Sequence, residues 1–159
     1  AGVLYQHFSW DAENLDQWYP PFPEAPHDIV PGPVGSYEST LNMPYIEAAG
    51  KLAYKKLVLE GTIGYAPYAT VDDVDDHKLR YIRAETDADG TALKADLQAR
   101  YNLNAKFFLM ARVNYLTFDV DGTEENEVYA GPDQGDEWTI DHTIVSDQTS
   151  VLLGAGANF

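Results

Sequence analysis

The sequence predicts an all-β fold: an antiparallel up-and-down barrel of the outer-membrane type, with about six long strands. Three observations carry this. Apolar and polar residues alternate over long stretches, the period of a strand rather than of a helix. Tight turns alternate with long acidic connections, the habit of outer-membrane barrels. The last segment alternates through Val151, Leu153, Ala155 and Ala157 to a terminal aromatic, Phe159, which resembles the assembly signal of bacterial outer-membrane proteins.

The elements follow in order. Val3 to Trp10 is a short apolar and aromatic run, read as a strand end. Residues 11 to 36 read as a loop, because Pro20, Pro21, Pro23, Pro26, Pro31 and Pro33 cannot donate to a sheet ladder. From Tyr37 onward the period is two. Leu57, Leu59, Gly61, Ile63 and Tyr65 form one set. Leu93, Ala95, Leu97, Ala99 and Tyr101 form a second, against Lys94, Asp96, Gln98 and Arg100. Phe107, Leu109, Ala111, Val113 and Tyr115 form a third. Tyr54-Lys55-Lys56-Leu57 and Asn102-Leu103-Asn104 read as tight turns. The stretch around 71 to 78 and the stretch from Asp119 to Glu137 read as acidic connections.

Two ambiguities stay open. Asp87-Ala88-Asp89-Gly90 carries a hairpin dipeptide, which would split one strand in two and make a complete eight-stranded barrel. That would put the later turns and loops on the wrong ends, so the preferred reading is a bulge within one strand from about Leu79 to Tyr101. Alternation alone also fits a lipocalin-like barrel with its apolar face inside. Lys94, Asp96 and Arg100 in succession suit a wet lumen and tip the choice toward the membrane.

Composition narrows the function. The chain has 159 residues, with 26 acidic against 10 basic side chains and a net charge of −16. Phosphate contacts need Lys/Arg clusters, so a nucleic-acid partner is excluded. Aromatics at 13% and apolar residues at 45% are too many for a disordered acidic tail. Without cysteine there is no disulfide scaffold, thiolate metal site or Cys nucleophile. No apolar run approaches the ~18 residues of a membrane helix, which leaves a β-barrel open. Ala1-Gly2-Val3-Leu4 shows no signal-peptide pattern. No Lys or Arg occurs before Lys51 or after Arg112, and the acids gather in three stretches, which a bland reading makes solvated loops.

The sharpest chemical motif is Asp73-Val74-Asp75-Asp76-His77. On an extended chain residues 73, 75 and 77 point to one side. A carboxylate beside an imidazole orients the ring and stabilises its charged form, so the ring can act as a general base toward water. On spacing alone a solvated acidic loop holding a histidine explains the motif as well. Asp87-Ala88-Asp89-Gly90 and Asp119-Val120-Asp121-Gly122 resemble calcium loops but lack the full spacing with a later bidentate Glu, so they read as solvated turns. His7, His27 and His142 show no metal-ligand spacing. Tyr45, Tyr54, Tyr65, Tyr68, Tyr101 and Tyr115 suit interfacial girdles, or the core of a soluble barrel.

Met43-Pro44-Tyr45-Ile46, the turn at 55 to 56, the strand Leu57 to Tyr68 and Asp73-x-Asp75-x-His77 together resemble the second half of the omptins. These are ten-stranded outer-membrane aspartyl-histidyl proteases of Gram-negative bacteria. Asn104-Ala105-Lys106 at a tight turn and the final strand continue the similarity. The resemblance implies that Asp75 and His77 are the catalytic dyad and that Asp73 binds the basic side chain at the cleavage site. It implies an endopeptidase at the cell surface, with outer-membrane lipid around it and a cationic peptide or protein as substrate. It also implies a second carboxylate pair on an opposite wall, in the first half of the barrel. Asp11 and Glu13 superficially mimic that pair, but Trp10 beside them sits better at the end of a later strand. The chain therefore reads as a single β-barrel domain over 1–159, the C-terminal portion of a larger barrel. The remaining strands would come from a missing N-terminal half or a partner chain, because lipid does not tolerate open edges.

Some residues depart from the family pattern. Glu47 stands where glycine is expected. Ser39-Thr40-Leu41-Asn42 replace the basic residues that help hold lipopolysaccharide, so no cofactor is expected and dependence on lipopolysaccharide is in doubt. The competing reading is a non-catalytic outer-membrane barrel, a structural or binding component of an envelope assembly. In the protease reading Lys51, Lys55, Lys56, Arg100 and Lys106 lie near the tight turns on a periplasmic side, with Lys78, Arg80 and Arg83 as exceptions to this polarity. The acid-rich loops and His77 then face the exterior as a negative mouth for cationic peptides.

Overall fold

The computed structural model describes residues 1–17 and 28–158, so Phe159, His27 and the prolines at 20, 21, 23 and 26 lie outside the described residues. Six strands form one antiparallel meander: β1 (Gly2–Gln17), β2 (Asp28–Tyr54), β3 (Leu57–His77), β4 (Ile82–Asn102), β5 (Phe107–Val128) and β6 (Glu137–Ala157). Each strand pairs with its neighbours in chain order, and the sheet curls without closing. The curl is deep enough for the Gln6 amide on β1 to donate to the Gln148 side chain on β6 at 3.3 Å.

Both tight turns are where the sequence places them. Lys55 takes a left-handed φ of 53° in the β2–β3 turn. The Asn104 side chain accepts from the amides of Lys106 and Phe107 at 2.9 and 3.0 Å, which closes the β4–β5 turn. Lys51, Lys55, Lys56, Arg100 and Lys106 lie toward this end, whereas Lys78, Arg80 and Arg83 lie at the other. Lys56 donates to the Leu103 carbonyl at 2.9 Å, and Arg100 donates to Asn158 at 2.7 Å.

The strands reach further than the acidic and proline-rich stretches suggest. The segments 71 to 78 and 119 to 137 are not loops: β3 runs to His77 and β5 to Val128, leaving short connections at 78–81 and 129–136. The 11 to 36 stretch is also partly strand, since β1 runs to Gln17 and β2 starts at Asp28. Pro31 and Pro33 are accommodated because the ladder slips beside Glu13, and Asn14 (φ 57°) accepts there from the Gly32 amide at 3.0 Å.

The expected bulge sits elsewhere. β4 pairs with β5 without a break through 87–90, which also removes the eight-strand alternative. The extra residue lies on β3 instead. Ala66 and Ala69 pair with Ala92 and Gly90, and the β2 ladder slips by the same one residue. Pro67 lies inside this slip and cannot donate to either neighbour.

Period two now separates two faces. The outer face of the turn-proximal half is an apolar belt that includes Ile46, Leu52, Ile63, Leu97, Leu109 and Val151, all exposed. Tyr54, Tyr101 and Phe107 edge it below, and Tyr65 and Tyr5 edge it above. From Leu93 to Tyr101 the belt spans roughly 20 Å of height for tilted strands, close to the ~25 Å band of outer-membrane barrels. Its inner face is charged. Lys94 lies 3.0 Å from Glu47 and 3.6 Å above the Tyr45 ring, and Arg112 donates to Asp96 at 2.6 Å. Glu47, Lys94, Asp96 and Arg112 line a cleft of about 590 Å³. Apolar outside and polar inside is the reverse of a lipocalin.

Above Tyr65 the polarity inverts. The outer face carries Asp72, Asp87, Asp89, Asp119 and Asp121, while Leu41, Met43, Val71, Phe118 and Val120 form a buried inner plug. Gly90 and Gly122 let β4 and β5 approach. A Cβ at either would run into the neighbouring strand's carbonyl, Asp119 or Asp87. The two Asp-x-Asp-Gly segments are thus adjacent strand residues, not turns.

Candidate active site

The bulge at Pro67–Tyr68 decides which way the motif faces. Below it the inward residues of β3 are even-numbered, with Gly64 opposite Lys94. One extra residue shifts the parity, so Asp73, Asp75 and His77 join the inner face above the plug. In a regular strand of the same residues, with no bulge, the belt's odd parity would carry all three outward.

On that face the Nε2 of His77 lies 3.4 Å from Asp75 Oδ2. Both groups are partly exposed, at 51% and 38% of their side-chain surface, so the ring is reachable from the mouth. With Nε2 directed to the carboxylate, Nδ1 is the nitrogen left for other chemistry. The carboxylate holds the ring in place, which suits a ring that accepts a proton during reaction.

Asp73 is different. It is only 8% exposed, lies across from Ser39 on β2 and Thr86 on β4, and its Oδ1 has no hydrogen-bond partner. Tyr37, directly across from Asp75, is hydrogen-bonded to Asp73 and Ser39. Its phenol is pushed up to about 12, first by burial and then by the bond to the Asp73 carboxylate. It therefore stays a donor through the neutral range. Trp10 stacks on Tyr37 at 6.0 Å between centroids, and Phe8 tilts against it at 5.6 Å. The result is a buried carboxylate with one free oxygen beside an aromatic wall, which suits a cation.

At the rim the Tyr129 phenol donates to Asp76 at 3.1 Å, and its edge meets the Tyr81 ring. Burial and then the Asp76 carboxylate raise the Tyr129 phenol above its ordinary range. This contact joins the two upper connections above His77.

The structure brings Asp73, Asp75 and His77 together on one face. It does not bring Asp11 there. Trp10 shares a rung with Tyr37 on the inner face, so Asp11, opposite Ser36, points outward. His7 is also outside, with Nδ1 3.1 Å from the Thr40 hydroxyl. Among the described residues no group of three or more His, Asp or Glu side chains is placed to hold a metal ion. Sequence reasoning passed over Tyr37, Ser39 and Trp10, whose only signal was a position opposite the motif in a register not yet known. It also passed over His142, whose Nδ1 lies 3.2 Å from Glu124.

Comparison with known proteins now adds a family. The Omptin family model matches residues 1–154. This chain belongs to the omptin family. Its fold is similar to that of the outer membrane protease OmpT from Escherichia coli, with a TM-score of 0.64 at 14% identity. The match covers 98% of this chain and 54% of OmpT, so this omptin chain spans about half the length of that structure. Among curated proteins no significant match is found.

Proposed function

We propose that this omptin chain is the C-terminal portion of an outer-membrane endopeptidase that cleaves peptides next to basic residues. The observation that carries the reading is the inward pair Asp75–His77 above a buried Asp73 with an unpartnered oxygen. In this reading Asp73 accepts the guanidinium or ammonium of the substrate. His77 takes a proton from water as the water oxygen attacks the scissile carbonyl. Asp75 stabilises the resulting imidazolium, and the proton passes to the leaving amine. A 3.4 Å pair is long for a working hydrogen bond, but such contacts tighten when substrate arrives. The belt faces lipid, the lysine-bearing turns face the periplasm and the acidic mouth faces the exterior. Strands from an N-terminal half or a partner chain pair with β1 and β6 and supply the opposite wall, since open edges are not tolerated in lipid.

The test uses the full-length protein in outer-membrane preparations and a fluorogenic peptide with one basic residue. His77→Ala and Asp75→Asn are expected to lower kcat/KM on the order of 10²–10⁴-fold. Asp73→Asn is expected to raise KM for that peptide. Undiminished cleavage in His77→Ala would overturn the catalytic reading in favour of a non-catalytic envelope component.

A further inference from the structure

A second carboxylate lies on the same rung as Asp73. Asp73 pairs with Thr86, and Thr86 pairs with Glu124. The two acids thus share one face and stand two strands apart, roughly 10 Å at the backbone. Glu124 is held in place rather than left to wander. The Asn126 amide, itself 8% exposed, donates to its Oε1 at 2.9 Å, and His142 Nδ1 lies 3.2 Å from its Oε2. Glu124 keeps 19% of its side-chain surface exposed. An ionised carboxylate has about four acceptor sites, so these two neighbours leave room for an incoming donor.

No Lys or Arg of the described strands faces this floor. Among the described strand residues, Lys94 is the uppermost Lys or Arg on the inner face, and the plug lies between it and the acids. Arg83 is on the outer face, paired with Glu85 at 2.7 Å. Two held carboxylates, one with a buried and unpartnered oxygen, therefore share a concave wall with no Lys or Arg counter-charge from the described strands.

From this we infer that Glu124, with Asn126 and His142 as its supports, is a second cation subsite that takes a second basic side chain of the same substrate. The inference rests on the protease reading above and adds a specificity element to it. In an extended peptide, residues i and i+2 project to the same side about 7 Å apart. Long Lys or Arg side chains cover the remaining distance. The substrate class is a peptide with two basic residues at that spacing, one set on Asp73 and the other on Glu124.

The experiment compares kcat/KM for two peptides that differ only in having Arg or Ala at the position two residues from the first basic side chain. A charge-assisted contact is expected to make the wild-type ratio roughly tenfold in favour of two arginines. Glu124→Gln is expected to bring the ratio to near one, and Glu124→Asp, which keeps the charge, to retain most of it. Asp89→Asn makes the same charge change on the outer wall and should leave the ratio as in wild type. Binding of both peptides to the His77→Ala protein, read by fluorescence anisotropy, supplies the same ratio without turnover. If His77→Ala does not impair cleavage, the protease reading fails, while the binding ratio still reports on Glu124. A ratio that Glu124→Gln leaves unchanged, or that Asp89→Asn lowers equally, overturns the inference.

Discussion

The two halves of the sheet use the same strands with opposite polarity. Near the tight turns the outer face is apolar and the inner face holds Glu47, Lys94, Asp96 and Arg112. Near the opposite connections, at 78–81 and 129–136, the outer face is acidic and the inner face begins with Met43, Val71 and Val120, none more than 2% exposed. Each polarity suits its surroundings. On the reading proposed above, the lower half has lipid outside and water inside, so its charges pair along the inner wall. On the same reading the upper half has water on its outer wall, so its apolar side chains retreat inward and carry a polar site on top. The change falls at the height of the Pro67–Tyr68 bulge, where β3 also changes parity.

That coincidence yields the largest expected effect. Inserting one alanine between Val71 and Asp72 moves every later residue of β3 by one place in the ladder. Asp73, Asp75 and His77 would then turn to the outer wall and Asp72 and Asp76 to the inside. The expected result is a loss of peptide cleavage on the order of 10²–10⁴-fold, comparable to losing the general base. Deleting Tyr68 instead removes the extra residue together with its bulge, which leaves the motif inward and should retain most of the cleavage. Full activity in the insertion variant would show that the facing of the motif does not decide activity.

A smaller effect separates the halves by their solvent. Leu97 is at mid-height of the belt, and Asp89 is on the same face of the same strand above it. Leu97→Arg is expected to cost about 2–4 kcal/mol in lipid, the penalty for a cation at the bilayer midplane. Asp89→Arg should lie within about 0.5 kcal/mol of wild type, since it meets water and relieves Asp89 of its cross-strand neighbour Asp121. Denaturant unfolding in lipid vesicles measures both. Equal costs would remove the assignment of lipid to one half and water to the other.

Much of the lower half is legible in the sequence, because one environment outside and another inside produce clean alternation. Leu93 to Tyr101 shows the strand, its outward face and its height with no structure at hand. The upper half is harder. Its outward residues are Asp and Glu, so 119–127 and 71–76 look like solvated loops although they are ladder-paired. Pro31 and Pro33 hide the start of β2 in the same way. The local D-x-D-x-H spacing makes Asp73, Asp75 and His77 neighbours, so the motif is readable. Which face it occupies depends on one unpaired residue at Pro67–Tyr68, and alternation does not announce a bulge. Tyr37 beside Asp73, and Glu124 beside His142, meet only through strand register. No count along the chain brings them together.

The gentlest probe asks whether the upper inner floor is as dry as the plug beneath it. Tyr37 is the reporter, because burial and the Asp73 carboxylate push its phenol up to about 12 from its ordinary value of 10.0. The folded state therefore holds this proton more tightly than the unfolded chain. The stabilisation is fully present below pH 10 and is lost as pH rises through about 12. Difference absorbance between wild type and Tyr37→Phe should show one phenol ionising near that upper value. Tyr37→Phe should also flatten the decline in stability over the same alkaline window, because the variant has no proton to lose there. It also takes a donor from a buried carboxylate, at a cost of about 1–3 kcal/mol at neutral pH. A difference spectrum that titrates at an ordinary phenol pKa would mean that water reaches Asp73 freely. The upper floor would then resemble the wet lumen below the plug, and the contrast between the two halves would be confined to their outer faces.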